Sequence, residues 1–228
     1  RGILDAFVVS LKVNDANLIK RDLNQFRANL KAAKGNSRDL DDGLEKRVRD
    51  LLLQAEQRIA VLLHEKHSSQ LELLAKKAAI AEGVEAAAIA HMQSEAGIDE
   101  AMEAWDALPR LPVKSETLLA KRLAKASGVT SMDLVSGRET REMILIDLEI
   151  ALDIPSPVTS TEARSRRQLE HLKNRFSMGL TRGPEAKALL VHWYATAAAP
   201  DAALDQRMAV VKHKLLEQID RSDRPPQS

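Results

Sequence analysis

The chain has no cysteine among its 228 residues. That absence removes disulfides, thiolate zinc sites and cysteine nucleophiles together, and it fits a reducing compartment. Aromatic residues make up only 3%, few for a strand-rich sandwich core, and no segment alternates like a strand. Glycine is scarce at nine, and none of the nine sits in a phosphate loop, a dinucleotide turn or a G-x-S-x-G elbow. No apolar run approaches the roughly 20 residues that span a bilayer. The opening RGILDAFVVSLKVND lacks the charged start, long apolar run and small-residue cleavage site of a signal peptide. An excess of one charge is missing too. The 34 basic and 33 acidic residues leave +1, so any attraction for nucleic acid or anionic lipid has to be local. The expectation is a soluble, cytoplasmic, non-enzymatic chain with no cofactor, no metal and no membrane partner. The chain starts at Arg1 without a methionine, which suggests a piece of a longer protein.

What is present is aliphatic. Apolar residues reach 44%, dominated by Leu and Ala, which predicts an all-α fold packed helix on helix. Ile19, Leu23, Phe26 and Leu30 recur at helical spacing over about 14 to 34, and Gly35-Asn36 is a stop. A second helix follows from Ser37, with Asp39, Asp41 and Asp42 where a first turn favours negative charge. Its stripe Leu40, Leu44, Val48, Leu51, Ala55, Ile59, Leu62 repeats over 11 residues and fits a nearly straight helix. HEKHSSQ, 64 to 70, interrupts the stripe and reads as exposed helix, and Gly83 is the expected end. The division expected is a long helical arm or hairpin over 1–83, a compact multi-helix domain over 84–220 and a disordered polar tail over 221–228. Shorter helices are expected near 98–107, 115–127, 138–152, 159–180, 184–197 and 201–220. The first helix is too short to cover the arm, so the distal half needs the compact domain or another copy of the chain as cover.

The compact domain contains an echo. Trp105, a proline turn and Leu119-Ala-Lys-Arg122-Leu123 are matched by Trp193, a turn with Pro200 and Leu204-Asp-Gln-Arg207-Met208. A large ring at a helix end covers the seam of the returning helix, and an arginine stem can lie across its face. Two Trp-bearing helical hairpins are therefore expected. With this element, the stretches ILIDLEIALDIPSPVTSTEARSRRQLEHLKNRF and VHWYATAAAPDAALDQRMAVVKHKL resemble the C-terminal part of bacterial proteins carrying the DUF349 domain, over about 71 to 217. The aromatic usual after the hairpin arginine is Leu123 or Met208 here. The resemblance implies a helical, often multi-repeat cytoplasmic protein and brings no established activity.

Chemistry-bearing clusters are few. His64 and His67 share a helix face, without the zinc-protease spacing and without an evident third ligand. Asp147 and Glu149, two apart on a helix, point to different sides and cannot pair as acid and base. Charge is organised in two stripes. On a wheel of 100° per residue, Arg164, Arg167, His171 and Arg175 share one face while Leu169, Leu172 and Phe176 form another. Lys20, Arg27, Lys31 and Lys34 align in the same way on the first helix. The expectation is a candidate surface for an anionic partner, with Arg164 and Arg167 exposed and Arg175 tied into the fold. The function expected is an adaptor or scaffold for a protein partner, with self-association through the arm as one form of it. The alternative is RNA or DNA bound without sequence preference through the stripes.

Overall fold

A computed structural model of the chain describes residues 2–36, 42–178 and 185–222. All regular structure among them is helical: α1 Gly2–Ser10, α2 Ala16–Asn36, α3 Asp42–Ile89, α4 Glu95–Asp106, α5 Val113–Ala126, α6 Ser131–Ala151, α7 Thr161–Met178, α8 Ala186–Ala195 and α9 Ala202–Ser222, with a 3-10 turn at Val158–Ser160. The fold is all-α. No helix among the described residues is long and apolar enough to cross a membrane.

The chain divides into two compact units, one made of the residues up to Ser68 and those from Leu216 onward, the other of Ser69–Leu215. The first unit packs α1, α2 and the first part of α3 around Leu4, Phe7, Ile19, Leu23, Phe26, Leu51, Ala55, Ile59 and Leu63. Each such large apolar side chain contributes about 1.5–3 kcal/mol on burial. The rings of Phe7 and Phe26 stack with centroids 4.3 Å apart. At the edge, Arg27 donates to Glu56 at 2.7 Å. α1 is an addition to the sequence-based expectation, and it supplies two of these core side chains.

α3 passes through HEKHSSQ unbroken, and Gly83 does not stop it. A glycine inside a helix costs about 1 kcal/mol relative to alanine. Its neighbours Val84 and Glu85 are both buried, and their packing outweighs that cost. The division between the units falls at Ser68, whereas the boundary expected at Gly83 lies within α3. Residues 223–228, most of the expected tail, lie outside the described residues, and α9 continues to Ser222.

In the second unit the helix starts are locally encoded. The Ser94 hydroxyl accepts from the Gly97 amide, Thr130 and Asp133 form a capping box, and Asp201 Oδ1 accepts from the amides of Ala203 and Leu204. Two ends are alike as well. After α3, His91 adopts φ 53° and the Met92 amide reaches the Ala87 carbonyl; after α6, Asp153 adopts φ 54° and the Ile154 amide reaches the Glu149 carbonyl. Both are Schellman caps with a non-glycine residue in the left-handed position.

Candidate functional site

These matching ends belong to a larger correspondence. In the first copy, made of α3 from Ser69, α4 and α5, Lys77 lies over the Trp105 ring at 4.3 Å and Glu85 receives Arg122. In the second copy, made of α6, α8 and α9, Arg141 lies over the Trp193 ring at 4.4 Å and Glu149 receives Arg207. The cation precedes the glutamate by eight positions in both, at 77 and 85 and at 141 and 149. The ion pairs use the same atoms: Nε and Nη2 of Arg122 reach Glu85 at 2.8 Å each, and Nε and Nη2 of Arg207 reach Glu149 at 2.9 Å each. Such fork-to-fork pairs are strong and directional. The sequence echo is thus real, but its arginines bind buried carboxylates. The rings are covered by cations from the preceding helix.

Between the copies sits a charged centre. Glu82 Oε1 accepts from Arg122 at 3.2 Å and from Arg141 at 2.9 Å, and the same arginines donate to the carbonyls of Tyr194 and Thr196 at the end of α8. Two glutamates and two arginines cancel, and the arginines satisfy carbonyls that a helix end leaves open. Burial lowers the pKa of Arg141, Glu82 opposes that shift, and the charge of Arg122 adds to it. Lys77, almost wholly buried, donates to Glu116 at 2.5 Å, and Glu116 also accepts from the Leu111 amide at 2.8 Å.

α7 has no counterpart in the first copy. It packs on α6 with its charged face inward. Arg167 makes a two-pronged bond to Asp147 and reaches Glu170 at 2.7 Å. His171 Nε2 lies 3.1 Å from the same Asp147, and Arg164 donates to the Ile154 carbonyl at 2.7 Å and to Ser156 Oγ at 2.9 Å. Ser156 in turn donates to Glu149. The bond to Asp147 raises the pKa of Arg167 above its already high ordinary value. The expected exposed pair, Arg164 and Arg167, is therefore built into the fold. The reason is Asp147, which is buried in α6 and would be left unpaired if α7 turned its leucines inward. Leu172, on the face that the wheel marks as apolar, is exposed. The side chains of Arg175 and Lys34 lie outside the described residues. In the other stripe Arg27 is held by Glu56, Lys20 is half-buried and Lys31 is exposed. No three His, Asp or Glu side chains gather as a metal set among the described residues.

A cleft of about 570 Å³ opens between the copies. Ala75, Ala78 and Ala86 of α3 face it, with Leu134, Trp193 and Met208 among the opposing residues, while Glu82, Arg141 and Lys212 add charge. Short side chains on α3 leave this room. Neither the cleft nor the charged centre was read from the sequence, although two carboxylates inside the apolar run ILIDLEIAL of α6 signal buried acids in need of partners. No family model, curated protein or solved structure matches the chain, so its resemblance to the DUF349 domain rests on the quoted residues alone.

Proposed function

We propose that the chain is a non-enzymatic helical interaction module, an adaptor or scaffold piece of a larger cytoplasmic bacterial protein. The observation that carries this reading is the cleft between the two copies. It combines an apolar wall with a few fixed charges, the mixture that receives a partner's apolar side chains and orients them. The four charged groups beneath it are engaged with one another and with backbone carbonyls, so they serve as a frame. The nucleic-acid alternative is weakened because Arg27, Arg164, Arg167 and His171 are spent on carboxylates and carbonyls of the chain itself.

Ala86 is exposed at the cleft, so Ala86→Trp fills it from the surface. The test is to recover proteins bound to the full chain in its host, with nuclease present, using the parent and this variant. The expected result is a nuclease-resistant partner that Ala86→Trp loses at an unchanged melting temperature. Capture that disappears with nuclease, or that survives Ala86→Trp, overturns the reading.

A further inference from the structure

α7 presents an unusual surface. A surface helix ordinarily buries its apolar stripe and exposes its charges. Here Arg167 and His171 face α6 and Arg164 faces the turn that follows it, while Leu169 and Leu172 stand 59% and 47% exposed. Buried Asp147 fixes this orientation, so the leucines cannot turn in without leaving a buried charge unpaired. The copy built on α3, α4 and α5 does without any such helix. α7 is thus an addition to the repeated unit, and its outward side is available for other use.

The border of the leucines is cationic. Arg166 lies three residues before Leu169, Lys173 four residues after it, and both are exposed. Arg166 is held at 3.1 Å by Glu162, whose side chain is 90% exposed, and an exposed pair of this kind is readily exchanged for another. Two leucines rimmed by cations along a helix of 18 residues, about 27 Å long, complement a helix that carries leucines edged with carboxylates. We infer that the outward face of α7 docks an acidic, leucine-bearing amphipathic helix of a partner protein. This rests on the reading of the chain as an interaction module but uses a surface separate from the cleft.

The experiment uses the full chain and a synthetic acidic peptide of about 18 residues with leucines at helical spacing, its counterpart with lysine for every glutamate, and vesicles of anionic phospholipid. Binding is read by fluorescence anisotropy and self-association by sedimentation. The expected result is that the acidic peptide binds at least about tenfold tighter than the lysine peptide. Leu169→Ser with Leu172→Ser should then lower that affinity at least about tenfold at an unchanged melting temperature. Arg166→Glu with Lys173→Glu should do the same, and Ala86→Trp should leave it unaltered. Equal binding of both peptides, affinity indifferent to the leucine variant, binding to vesicles in its place, or self-association abolished by the leucine variant would each overturn the inference. If the acidic peptide fails while the nuclease-resistant partner is still captured through the cleft, this inference falls and the interaction-module reading stands.

Discussion

Gly137 of α6 lies directly against the backbone of Ala197: a Cβ placed on Gly137 would stand 1.7 Å from the Ala197 carbonyl oxygen and 2.8 Å from its carbon. The segment after α8 is pinned there, with the Ala199 amide donating to the Leu134 carbonyl at 3.0 Å. Backbone on both sides leaves nothing free to yield. Gly137→Ala should destabilise the protein by about 3 kcal/mol or more. Gly83, also inside a helix, meets nothing within 4 Å, and Gly83→Ala should stabilise by about 0.5–1 kcal/mol. Denaturant melts of the two variants decide this, and equal effects would show that the close approach is misplaced.

The pair Arg122–Glu85 should behave as a buried unit. Both side chains are nearly inaccessible, so Glu85→Ala leaves a buried guanidinium short of its main partner and should cost about 3–5 kcal/mol. Combining Glu85→Leu with Arg122→Met should cost clearly less than the sum of the two single changes, as expected for residues in contact. Strict additivity in a double-mutant cycle would deny the pairing.

On α7 the contrast lies between neighbours. Arg167→Glu places a third carboxylate beside Asp147 and Glu170 and should destabilise by roughly 3–5 kcal/mol. Arg166→Glu removes only an exposed contact and should change stability by about 1 kcal/mol or less. Thermal melts of the two single variants are the check, and similar melts would mean that α7 is rotated from the position described.

Acid sensitivity follows from Glu116. Burial pushes its carboxyl up, but the bonds from the Lys77 ammonium and the Leu111 amide outweigh that and hold it below the ordinary 4.5. A depressed carboxyl adds stability above its unfolded value, and the contribution is lost as pH falls through the folded one. Asp201, lowered chiefly by Arg138, and Asp133, lowered chiefly by Thr130, act in the same direction. The melting temperature should hold at neutral pH and drop below about pH 4.5. Glu116→Gln should lie well below the parent at pH 7 and converge with it near pH 3. A gap of equal size at both pH values would contradict this assignment.

Much of the fold was legible because helix periodicity is local. The stripe over Leu51, Ala55 and Ile59 and each half of the echo of Trp105 with Trp193 sit within short windows, whereas the start of α6 at Ser131, behind the capping box of Thr130 and Asp133, lies ahead of the expected 138. HEKHSSQ, read as a mere interruption of the stripe, marks the place where α3 leaves one core and enters the other. The candidate site was far less legible, because it is made between helices distant in the chain. A helical wheel groups Arg164 with Arg167 and Leu169 with Leu172 correctly, yet it cannot say which group faces inward. That choice is made by Asp147 on another helix. Asp147 and Glu149 take different partners, Arg167 and His171 for the first, and Arg207 and Ser156 for the second.

The grouping of the residues from Leu216 onward with those before Ser69 makes the second unit an insertion within the first. Trimming progressively from either end therefore dismantles the first unit before it touches the second, and no single cut releases both whole. A fragment begun at the glycine-marked position, residue 84, would keep Glu85 but discard Lys77 and Glu82, depriving Glu116, Arg122 and Arg141 of described partners. Internal excision at Ser69 and Leu215 keeps every one of those groups, so dissection of this protein is better planned from inside the chain outward.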